Sequence, residues 1–83
     1  MRSATSIGAN VAEALDAFSK RDFAYKMSIA KKEARETYYW LRLLQESSLI
    51  HKNIQHYIDD IQSILRVLTS IVKTTSENLE RNP

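Results

Sequence analysis

The stretch DFAYKMSIAKKEARETYYWLRLLQE, Asp22–Glu46, puts Phe23, Met27, Ala30, Ala34, Thr37, Leu41 and Leu44 at alternating steps of four and three. That spacing is the seam of an α-helix packed against other helices. Just ahead of it stands Ser19-Lys20-Arg21-Asp22. Ser19 is a natural N-cap, and an acid three residues later favours the positive end of the helix. The pattern predicts a helix over 20–47.

The same reading extends in both directions. After a loop starting at Ser47-Ser48, Asn53 is a good cap for a helix over 53–80. Its seam is Ile54, Ile58, Ile61, Leu65, Leu68, Val72, Thr75 and Leu79, and Tyr57, Ile64 and Ile71 add a flanking stripe seven apart. This apolar face is wider than one antiparallel partner covers. Toward the N-terminus, Ile7, Val11, Ala14/Leu15 and Phe18 keep the helical period and predict a helix over 2–18. Ala4, Gly8 and Ala12 make a stripe of small residues spaced by four, either to admit a neighbouring backbone or as drift at a weak position. Three long amphipathic helices with short loops predict an all-α, antiparallel, up-down bundle forming a single domain over 1–83. A chain of this size buries only about 60% of its unfolded surface. The excess apolar frontage therefore predicts a homo-oligomer.

Composition narrows the rest. The chain has 83 residues, 43% hydrophobic and 27% charged, with one glycine, one proline and no cysteine. Disorder needs a poorer apolar content, and β-sandwiches and barrels need far more turn residues. Glycine-loop nucleotide sites, thiolate metal sites, disulfides and thiol nucleophiles lack their residues. No apolar run approaches the roughly 18–20 residues of a membrane span, and no signal peptide opens the chain. The expectation is a cytoplasmic protein that does not engage membranes.

Net charge is only +2, but its distribution is uneven. Between Lys20 and Arg42 lie seven basic and three acidic residues. On a helical projection Arg21, Tyr25, Ser28, Lys32, Arg35, Tyr39 and Arg42 fall on one line opposite the seam, about 30 Å long. Cations neutralise phosphates and tyrosine rings stack on unpaired bases. Arg21, Tyr25, Lys32, Arg35, Tyr39 and Arg42 are thus candidate nucleic-acid contacts for RNA or DNA. The alternative is an ordinary solvated face with snorkelling tyrosines.

Beside the seam lie Ile29, Glu33, Glu36, Trp40 and Leu43. An indole and two aliphatics next to two carboxylates suit an interface. With Tyr57, Ile64 and Ile71 they form the candidate oligomer interface; the alternative for Trp40 is the core. Ser3, Ser6 and Asn10, with Glu13 and Arg2 nearby, could meet the two acids in a polar layer, between the helices or between subunits, that fixes register.

Enzymatic readings are poor. A di-metal bundle needs Glu-x-x-His on two helices, whereas Glu33 and Glu36 stand about 60° apart, His51 falls in the loop and His56 is five residues further on. Asp59 and Asp60 suit a helix start, and no His/Asp pair activates a serine. No catalytic residue, metal site or cofactor is expected.

Three stretches together resemble the bacterial four-helix-bundle family of the 23S rRNA intervening-sequence proteins. They are RSATSIGANVAEA (Arg2–Ala14), the Ser19-x-x-Asp22-Phe23 step and AKKEARETYYWLRLL (Ala30–Leu44) with its E-x-x-E-T-x-x-W-L pattern. The resemblance implies an antiparallel bundle whose subunits form a ring, a pentamer, with no attached catalytic activity. It also implies kinship with the accessory variability proteins of diversity-generating retroelements, which bind nucleic acid and a reverse transcriptase through a basic surface. Such proteins usually carry a helix ahead of the RSATSIGAN stretch, so three of the usual four helices are expected here. Two functions follow as expectations: a non-catalytic oligomer that binds nucleic acid through a basic helix face, or a protein-interaction scaffold or accessory subunit that captures a partner protein.

Overall fold

A computed structural model describes residues 2–47 and 53–81, with side chains from Thr5 onward. It contains three helices: α1 (Arg2–Leu15), α2 (Lys20–Glu46) and α3 (Gln55–Arg81). Ser19 caps α2 as the sequence implies, its Oγ accepting the Asp22 N–H at 3.0 Å. Asn53 Oδ1 likewise accepts the Gln55 N–H at 2.9 Å, so α3 starts two residues after its cap. The predicted loop residues Ser48 and His51 lie outside the described residues.

Both α1 and α3 pack on α2, while their backbones stay apart from each other. The arrangement is three corners of a square, with α2 at the corner diagonal to the open one. Buried Ala14, Met27, Ala30, Ala34, Ile61 and Leu68 form the shared core, with Phe23, Leu41, Leu65 and Val72 packed against it. Ile58 is also fully buried. Ala30 and Ala34 have no exposed surface, which lets two helices approach α2 closely at one level. Thr37 is buried, and its hydroxyl donates to the Glu33 carbonyl at 2.9 Å, so its polar atom costs little.

Contacts fix the register. Gln45 Nε2 donates to Gln55 Oε1 at 2.7 Å and Gln62 Nε2 to the Tyr38 hydroxyl at 3.4 Å, so α3 runs antiparallel along the whole of α2. On the other side Lys26 Nζ meets Glu13 Oε2 at 3.0 Å. Counting back from that contact at equal rise puts Arg2 level with Thr37. The last two and a half turns of α2 therefore have no α1 beside them.

Three expectations are corrected. α1 ends at Leu15, where the Asp16 and Ala17 N–H groups close onto Glu13 and Ala14 in tight three-residue turns. Phe18, expected in the apolar stripe, consequently sits on the turn and is fully exposed at 105%. Leu44, expected in the core, is 39% exposed because α1 does not reach it. Of the expected polar layer, the Arg2 and Ser3 side chains lie outside the described residues. Asn10 Nδ2 donates to the Ser6 carbonyl within α1, and Glu13 is taken by Lys26.

Candidate nucleic-acid interface

Being the corner helix, α2 turns its back outward, and all six predicted nucleic-acid contacts are exposed there. Two ion pairs form among the described residues, Lys26–Glu13 and Arg42–Glu46 at 3.3 Å. Neither engages Arg21, Lys32 or Arg35, so three of the four cations on the line lack an acidic partner among the described residues. The Arg42–Glu46 pair is open to solvent and weak, but it partly neutralises that end of the line. Glu46 lies one turn beyond Arg42, so the sequence carried the signal for this pair. Ser28 spends its hydroxyl on its own helix, donating to the Tyr25 carbonyl at 2.7 Å.

The two tyrosines are 61% (Tyr25) and 59% (Tyr39) exposed. Tyr39 meets Trp40 with ring centroids 5.8 Å apart and planes at 71°, a favourable edge-to-face geometry. Sequence reasoning put these neighbours on different surfaces and missed the pair. It also missed Lys26–Glu13. There the hydrogen bond and charge of Glu13 hold the Lys26 ammonium above its ordinary range.

The candidate interface residues divide between two places. Ile29 and Glu33 are half-buried beside α1; Glu36, Trp40 and Leu43 are exposed, with Trp40 at 51%. On α3, Tyr57 lies beside His56 with ring centroids 3.8 Å apart and planes tilted by 39°, Ile64 is exposed, and Ile71 is half-buried against the core. Ile64 and Ile71, with Val67, Leu68, Val11 and Met27, line an almost wholly apolar open cleft of about 360 Å³ between α1 and α3. This is the vacant fourth corner. Val67, 58% exposed, belongs to it and was not singled out from the sequence. Gly8 on α1 has nothing within 4 Å of where a side chain would begin, so among the described residues no other backbone packs against it.

Among the described residues no three His, Cys, Asp or Glu side chains converge as metal ligands. No described helix is long and apolar enough to cross a membrane.

The chain is thus an all-helical bundle protein with one basic, aromatic-bearing outer face and one open apolar cleft. It belongs to the 23S rRNA-intervening sequence protein family, whose pattern matches residues 1–70. It is also similar to a crystal structure from Bacteroides thetaiotaomicron described as a protein of unknown function from the S23 ribosomal protein family. Identity is 47% and the TM-score 0.77, over 87% of this chain and 68% of the other. No curated protein matches.

Proposed function

We propose that this chain is a non-catalytic, self-associating, cytoplasmic bundle protein that binds nucleic acid along the outer face of α2. One observation carries the reading: Arg21, Lys32 and Arg35 share a line with exposed Tyr25 and Tyr39 and have no acidic partner among the described residues. Cations left unpaired on one side of a straight helix suit a polyanion. Self-association is supported by the apolar cleft with its Ile64 and Ile71 wall, and by Trp40 and Leu43 beyond the reach of α1. The family, which takes its description from sequences intervening in 23S rRNA, is consistent with a nucleic-acid partner.

The test combines mass in solution by light scattering with fluorescence anisotropy of a labelled RNA at low ionic strength. The expected result is a mass above one subunit and binding that weakens steeply with salt. With three to four phosphates neutralised on a single strand, log K falls against log salt with a slope of about −2 to −3. A monomer without affinity for RNA or DNA at low salt overturns the proposal. The cleft also favours a second reading, an accessory scaffold that captures a partner protein. An oligomer indifferent to nucleic acid would select it.

A further inference from the structure

We propose that the α2 face takes single-stranded rather than duplex nucleic acid, with unpaired bases stacking on Tyr39 and Tyr25 and with Trp40 holding the Tyr39 ring in place. The inference rests on the nucleic-acid reading above and narrows it.

The argument starts from the rings. A tyrosine left more than half exposed on a charged face offers an aromatic plane to whatever docks there. A duplex has no use for that plane, because its bases are stacked on each other and only phosphates and groove edges face outward. Unpaired bases present their own faces, and stacking on aromatic side chains is how single strands are held without sequence readout.

Preorganisation strengthens the case at Tyr39. A free ring on a helix surface loses rotamer freedom when a base stacks on it. The 71° contact with Trp40 restricts the ring beforehand, while Tyr39 remains 59% exposed. Tyr25 and Tyr39 are fourteen residues apart, about 21 Å along the axis, with Lys32 midway and Arg35 between them. A strand laid along α2 thus meets a ring, two cations and a second ring in order.

Tryptophan occurs once in the chain, so Trp40 reports on its neighbour. The probes are a 12-nucleotide oligoadenylate, the same strand annealed to its complement, and an abasic oligonucleotide of equal length. Oligoadenylate is expected to bind most tightly and to quench Trp40 emission. Duplex and abasic strand are expected to bind more weakly and leave emission unchanged. Tyr39→Ala should cost the oligoadenylate about fivefold to a hundredfold in affinity, the range of one stacked base, and leave the abasic strand unaffected. Tyr39→Phe should restore binding. Lys32→Gln should weaken all three probes alike. Tyr39 is exposed, so its variants retain the helical circular dichroism of the parent. If the duplex binds as tightly as the single strand, or Tyr39→Ala binds like the parent, the single-strand proposal falls while the nucleic-acid reading stands. If no probe binds at low salt, both fall.

Discussion

Replacing Gly8 by alanine tests the openness of α1 directly. Gly8 lies in the middle of α1, and a side chain begun there meets no atom within 4 Å. With no clash to offset it, the change acts through backbone entropy and helix propensity, which favour alanine by about 1 kcal/mol in a helix interior. For a domain of this length 1 kcal/mol moves the thermal midpoint by about 4–8 °C. Gly8→Ala is therefore expected to raise the midpoint by that amount, measured by circular dichroism at 222 nm at several protein concentrations. Mass by light scattering should stay unchanged. A lower midpoint, or a loss of mass, would show another helix backbone seated against Gly8. The small-residue stripe would then be a close-packing surface, and the reasoning from open space would be refuted.

The remaining expectations concern the core, a cap and one ion pair. Ala34→Leu forces three extra carbons into a site with no exposed surface between packed helices, and should cost about 1–3 kcal/mol, read as a lower urea midpoint at constant m-value; a neutral result would mean the helices do not meet there. Ser19→Ala removes the oxygen that accepts the Asp22 N–H and should cost about 1 kcal/mol, with faster hydrogen exchange in the first turn of α2. Glu13 raises the Lys26 pKa, so their contribution is complete below the ordinary lysine range and is lost as pH climbs through the raised value. Both ends face solvent, so the effect is small and salt-sensitive. Glu13→Gln should lower stability slightly at neutral pH and low salt, and urea midpoints of variant and parent should converge at strongly alkaline pH.

The sequence revealed what depends on period and hid what depends on comparing helices. Buried Met27, Ala30, Ala34, Thr37, Ile58, Ile61 and Leu68 all lie on seams read at steps of four and three, because a helix that packs must repeat its contacts at its own pitch. Leu44 obeys that period and is still exposed. Its burial depends on the length of α1, which no pattern within α2 encodes. Phe18 failed for a related reason, since periodicity continued past the residue where the backbone turned. The Tyr39–Trp40 pair was invisible on other grounds. Adjacent helical residues point about 100° apart, and only side-chain rotamers bring these two rings together.

The same geometry explains why the cleft and the basic line do not compete, although Trp40, in contact with Tyr39, adjoins the basic face. Met27 forms part of the cleft from the inward side of α2, while Arg21, Lys32 and Arg35 lie on its back. Whatever helix fills the open corner leaves that back untouched. Each copy added through the cleft would then contribute another basic line to the outside of the assembly. Several lines engaging one long strand raise its effective concentration at the next line without any new contact. Under the proposed function, affinity should therefore grow with strand length well beyond the span of one α2, provided the assembly is intact. A variant that dissociates the assembly, such as Ile64→Glu, should retain the affinity for a 12-nucleotide strand and lose the gain seen with a longer one. Equal losses for both lengths would mean that the cleft and the basic face are one surface, which the diagonal placement of α2 forbids.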